Sequence, residues 1–256
     1  MRSEVDEFPV RDINETGYLL IPSRFPPVPI YGRIANGNDE QFVKLESMTN
    51  PRLKEREKLI SLSGHSLDET SPKLQNWNHA PFAYPNPEGT WLFDKSIRCL
   101  ELSTDRQTAL AVSVKKREIF LGRTSEKPIG LDMRMLGRPV IGRFLDARML
   151  SLNLARSERR NIGASILQRL RDMEKSEEAN VHGVLFHSPE RPTGTRLVVL
   201  QRDAVADRAT QMEHYRFSWN GQKITSLYAF DSKRTDQENK LDPDDLKREE
   251  PIPQVA

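Results

Sequence analysis

Apolar positions recur at intervals of three and four along residues 157–175, where Ile162, Ile166, Leu170 and Met173 share one face and predict an amphipathic helix. A second helix is predicted over residues 105–120. It starts behind Thr104, whose hydroxyl can accept the free amide three residues on while Gln107 reaches back, the spacing of a capping box. A third, residues 39–49, opens on acidic side chains that suit the positive end of the helix dipole and stops before Pro51. Residues 97–102 form an apolar run of the strand type. Residues 181–186 and 196–200 are β-rich and separated by the loop PERPTGT, so they are expected to be neighbouring strands. Residues 215–219 and 223–230 flank Asn220-Gly221, a pair that tolerates positive φ and marks a hairpin. The pattern predicts an α+β fold with a mixed or mainly antiparallel sheet flanked by helices.

Polarity is concentrated at the two ends. Residues 1–16 and 231–256 carry charge and proline with little to bury, so both are expected to be disordered segments around one domain spanning 17–230. Residues 61–88 hold four prolines and three asparagines and are expected to form a long polar loop or lid. No internal repeat is visible. The chain of 256 residues is 36% hydrophobic and 30% charged, and its 39 basic and 37 acidic residues leave a net charge of +2. So balanced a surface sets up no strong field toward nucleic acid or anionic lipid. Cys99 is the only cysteine, which excludes a disulfide framework and a multi-cysteine zinc site within the chain. No apolar run approaches the roughly 18 residues of a membrane span, and the acidic opening MRSEVDEFPVRD lacks the form of an export signal. A cytoplasmic location is the expectation.

Taken alone, the residues display no phosphate-binding glycine loop, no GxSxG elbow, no HExxH pair and no dinucleotide GxGxxG. The five histidines do not fall at spacings that preform a metal site, and no metal or cofactor is expected. His182 and His187, five apart on a predicted strand, point to opposite faces. Trp77 and Trp91 bracket a proline-rich stretch and can either stack on a ligand ring or anchor a core. Lys115 to Arg117 are most simply the solvated face of their helix.

Six blocks, in order, carry a resemblance. They are IPSRFPPVPIYGRIA (21–35), LESMTNPRL (45–53), STDRQTALAVSVKKREIFL (103–121), LDMR (131–134), HGVLFHS (182–188) and HYRFSWNGQKI (214–224). Together they resemble the RES-domain family, whose fold is similar to the catalytic core of ADP-ribosyltransferases. The resemblance implies a bacterial toxin that degrades NAD by cleaving its nicotinamide–ribosyl bond with phosphate or water. It also implies an Xre-type helix-turn-helix antitoxin as partner. NAD would be the substrate, held by cations on its phosphates. By the family pattern Arg33 of YGRIA clamps phosphate, although an arginine there can equally pair a core carboxylate. Ser188 falls on the family's pocket serine. Three positions depart from the pattern: Glu101 stands at a tyrosine, Val112 at a glutamate and Trp91 at an arginine. Glu101 is therefore a candidate for a catalytic carboxylate that has moved, and Trp91 for a ring-binding residue. The same departures also support a RES-fold protein that binds a nucleotide or antitoxin without catalysis.

Overall fold

The computed structural model describes residues 4–23, 76–176, 180–206, 209–253 and 255. The predicted helix at 39–49, the first part of the 61–88 connection and Arg33 lie outside the described residues. The strands are β1 (Val10–Pro22), β2 (Leu100–Ser103), β3 (Ile129–Asp146), β4 (Gly183–Ser188), β5 (Arg191–Val199), β6 (Thr210–Trp219), β7 (Ile224–Ala229) and β8 (Lys240–Leu241). The helices are α1 (Asn76–Ala83), α2 (Arg106–Leu121), α3 (Arg156–Lys175) and α4 (Asp236–Asn239). The architecture is α+β with a mixed sheet in the order β1-β2-β5-β4-β3-β6-β7-β8, in which β3–β4 is the parallel pair.

β1 also pairs with β3 over its whole length, from Val10↔Leu145 to Pro22↔Met133, and meets β2 at Tyr18↔Ser103. Strands β1, β2, β5, β4 and β3 thus close on themselves, and β6, β7 and β8 continue outward from β3. Leu102, Phe144, Leu185 and Leu197, all from strands of this ring, pack into one apolar cluster with Ile13 and Leu19. The length of β3 lets it serve both parts: its first half pairs with β6 and its last residues with β4. Pro139 falls after the β6 ladder has ended at Gly137↔Thr210, where a missing amide costs no strand bond, and its carbonyl accepts from Ala206.

α3 forms as its periodicity predicts. Ile166 is fully buried, and Ile162, Leu170 and Met173 pack beside it against Val184, Phe186 and Val198. At Gly163 a Cβ would come within 2.5 Å of the Leu92 carbonyl, so only glycine lets the helix approach residues 92–93 this closely. α2 covers the other part of the sheet, burying Ala109, Leu110, Ala111 and Val114 against Met133, Met135, Phe217 and Leu227. Its cap lies one residue later than expected. Asp105, in extended conformation, accepts the amide of Thr108 at 2.8 Å, while Thr104 is drawn to the carbonyl of Thr195.

Both ends differ from the expectation of disorder. Residues 10–16 are part of β1, because a ladder to β3 satisfies their backbone whatever their side chains, while Val5 and Phe8 sink into the core beside α3. The C-terminal segment contains α4, β8 and a 3-10 turn, and buries Leu241, Leu246 and Val255. Two buried side chains pin it. Gln107 donates to the carbonyls of Leu246 and Arg248 and accepts from the amide of Ile252, and Arg191 donates to the carbonyls of Arg248 and Glu249. Composition missed this because the partners lie far away in sequence. The PERPTGT stretch also differs, since only Pro189 and Glu190 turn the chain and the rest belongs to β5. Hairpin β6–β7 turns where Asn220-Gly221 predicts it, with Gly221 at a φ of 98°.

Candidate functional site

Glu101 stands in the middle of β2, opposite Val198 of β5, and Arg196 lies two residues before Val198, so both side chains point to one face. α2 crosses that face and presents Val112 and, one turn on, Lys116. Arg196 Nη2 meets Glu101 Oε1 at 2.5 Å, and Lys116 Nζ meets Glu101 Oε2 at 2.5 Å. Arg196 Nη1 also reaches Glu190 Oε2 at 3.1 Å, and the hydroxyl of Ser188 donates to that same oxygen at 2.8 Å. The result is a chain of polar contacts from Ser188 through Glu190, Arg196 and Glu101 to Lys116. Ser188 is fully buried and Arg196 nearly so, at 2% exposure.

Burial by itself would push the Glu101 carboxyl up, but the charges of Arg196 and Lys116 outweigh it and hold the group at about 2. Glu101 is thus ionised throughout the physiological range, with its charge offset by two cations. A carboxylate held so low is a weak proton acceptor. The space beside it is small. A cavity of about 90 Å3 is bounded by Tyr18, Glu101, Val112, Lys116 and Arg196 among others, whereas small-molecule sites usually enclose roughly 300–1,000 Å3.

Trp91 joins this cluster from the other side. Its ring stacks on Phe186 with centroids 5.3 Å apart, the guanidinium of Arg196 lies 5.5 Å from the Phe186 centroid, and that of Arg159 lies 5.3 Å from the Trp91 centroid. Two cations and two rings therefore form a connected column, and Trp91 belongs to the apolar core that α3 covers. The structure brings together Glu101, Val112 and Ser188 of the sequence candidates, links Trp91 to them through Phe186, and does not describe Arg33. The thiol of Cys99 is buried and pushed up to about 12, chiefly by burial, which makes it inert as a nucleophile at neutral pH.

Arg196, Glu190 and Lys116 are parts of the site that sequence reasoning missed. The signal for Arg196 was a charge entering an apolar run, RLVVL, at a position of the same parity as its partner's face. Lys116 was hidden in KKR, where side chains of a solvated face and one committed to an ion pair have the same composition.

The fold carries an acid signature, set by Glu101 and by Asp146 at the end of β3. Glu101 at about 2 lies below its ordinary 4.5, and Asp146, held by hydrogen bonds from Arg148 and Arg11 against the opposing effect of burial, lies at about 2 against 3.8. Both depressed values mean that the stabilisation is complete above about pH 4.5 and is lost as pH falls toward 2. Thermal melting should be nearly level from pH 7 to 5 and drop steeply below 4.5. A Glu101→Gln variant should show a shallower drop, and an unchanged profile would remove Glu101 from the account.

A family model described as the RES domain matches residues 69–220. The chain is also 47% identical over 228 residues to a Sinorhizobium fredii protein named "Uncharacterized protein y4oC", a match covering 89% of this chain and 91% of that one.

Proposed function

Since the chain belongs to the RES-domain family, we propose that it is a member that binds without cleaving. It would engage an NAD-type nucleotide or an Xre-type helix-turn-helix antitoxin in the cytoplasm and leave the nicotinamide–ribosyl bond intact. The reading rests on one observation, the commitment of the Glu101 carboxylate to Arg196 and Lys116. Breaking a nicotinamide–ribosyl bond builds positive charge on the ribosyl carbon, and a carboxylate must face that charge to stabilise it. Glu101 faces two protein cations instead, and Val112, which stands at the family's glutamate position, has no charge to offer. Loss of a positioned acid or base of this kind costs about two to four orders of magnitude in rate.

A second reading is favoured by Glu190. Its carboxylate touches Ser188 and Arg196 and retains a side-chain exposure of 19%, so its open edge could face a substrate. On that reading the chain degrades NAD by phosphorolysis or hydrolysis with a relocated carboxylate. Incubation of the purified protein with NAD, with and without phosphate, separates the two. The expected result is no nicotinamide above background from protein that melts cooperatively. Release that falls on Glu190→Gln substitution would establish the second reading and overturn the first.

A further inference from the structure

The small cavity beside Glu101 is bordered by more hydrogen-bond donors than the chain satisfies. It opens where β1 and β2 share one paired position, Tyr18↔Ser103. α2 spans the opening with Ala109, Val112, Ser113, Lys116 and Arg117, spaced at three and four along one face. Arg117, last of the KKR run expected to be solvated, is half-buried there. It forms no hydrogen bond or ion pair among the described residues, and its Nε–H is buried without an acceptor. Arg196 commits both ends of its guanidinium to Glu101 and Glu190, yet its Nε–H is also buried and unanswered. The side chains of Tyr18, Ser103 and Ser113 border the same space, and their hydroxyls have no hydrogen-bond partner among the described residues. Folding ordinarily pairs its buried donors, so their convergence on one cavity points to an acceptor that the chain itself does not supply.

Charge identifies the kind of acceptor. Of the charged side chains that line the cavity, Lys116, Arg117 and Arg196 are cations and Glu101 is the carboxylate. Glu101 is matched by Arg196 and Lys116, and Glu190 meets Arg196 as well. With both carboxylates counted, the balance stays positive, and the unmatched cation is Arg117. Burial lowers the proton affinity of Arg117, and no carboxylate offsets that effect. An oxyanion meets both demands, because it brings negative charge and several acceptor oxygens to one point. The cavity's 90 Å3 equals the volume of roughly three waters at about 30 Å3 each, which suits one tetrahedral ion and is far too little for a dinucleotide.

We propose that this cavity binds one oxyanion of the phosphate class. Arg117 and the Nε–H of Arg196 hold it, the hydroxyls of Tyr18, Ser103 and Ser113 donate to its remaining oxygens, and Lys116 lies at the solvent side. The site goes beyond the reading of the chain as a nucleotide or antitoxin binder and does not require it, since a free oxyanion fills the space by itself.

The test is a calorimetric titration of the full chain, exchanged into phosphate-free buffer, with inorganic phosphate at constant ionic strength. Phosphate should bind saturably, one per chain, and raise the melting temperature as it binds. Arg117→Met should weaken binding roughly tenfold or more, the effect of losing a charge-assisted hydrogen bond. Lys115→Met, at the exposed neighbouring position, should leave binding unchanged. Without phosphate, Arg117→Met should melt no lower than the parent, because it breaks no ion pair; this separates binding from a role in the fold. AMP and NAD are then added to the phosphate-bound chain. A nucleotide that displaces phosphate from the parent but binds Arg117→Met weakly would identify the oxyanion as an esterified phosphate, and failure of both to displace it would identify free phosphate. The proposal is overturned if millimolar phosphate does not bind saturably, which would leave water as the occupant, or if Arg117→Met binds phosphate as well as the parent.

Discussion

Arg196→Met is expected to destabilise the fold by about 3–5 kcal/mol, the usual cost of leaving a buried charge without its partner. Arg196 is the central group of the polar chain. Its removal leaves Glu101 buried with Lys116 alone, and leaves Glu190 without its cation. For a chain of this size the loss corresponds to a fall in melting temperature of roughly 6–20 °C, read by calorimetry at neutral pH. When Glu101→Leu is combined with Arg196→Met, the two most deeply buried charges are removed together and only the part-exposed Glu190 loses its cation, so the double variant should recover most of the stability. A double variant as unstable as the single one would mean that Arg196 acts through its packing on Phe186 and not through its charge.

Glu101 stood out only because it departs from a family pattern, and alone it left two possibilities open: a carboxylate that had moved, or a pocket without one. The choice depends on residues 95 positions further along the chain, since Arg196 faces Glu101 only after β2 has paired with β5. Ser188 was legible as a strand-end residue, but the acceptor of its proton, Glu190, lay in a stretch read as loop. Thr104 was read as the cap, and Asp105 takes that role because Thr104 is drawn to the carbonyl of Thr195.

Trp91→Ala should cost about 3–5 kcal/mol, the range for emptying a large aromatic site in a core. Trp91 is 9% exposed, stacked on Phe186 and overlaid by Arg159, so its loss opens a cavity and strips Phe186 of its stacking partner and Arg159 of its ring. The contrast with a ligand-stacking role is measurable. If Trp91 serves the core, Trp91→Phe should restore much of the melting temperature, and any nucleotide that binds the parent should bind Trp91→Phe with similar affinity. A variant that melts normally yet loses nucleotide affinity would instead assign the ring to a ligand.

What the sequence determined is what depends on local periodicity and on residues close together in the chain. α2 and α3 follow from repeats of three and four, the β6–β7 hairpin from Asn220-Gly221, and the α+β class from their alternation with apolar runs. The tertiary structure decided whatever needed a distant partner. β1 is ordered because β3 supplies its hydrogen bonds, and the C-terminal segment because Gln107 and Arg191 grip its backbone. Glu101 is a paired ion because Arg196 arrives from another strand. Composition records how much a segment can bury, whereas a backbone ladder or a buried ion pair is satisfied by groups whose position only the fold provides.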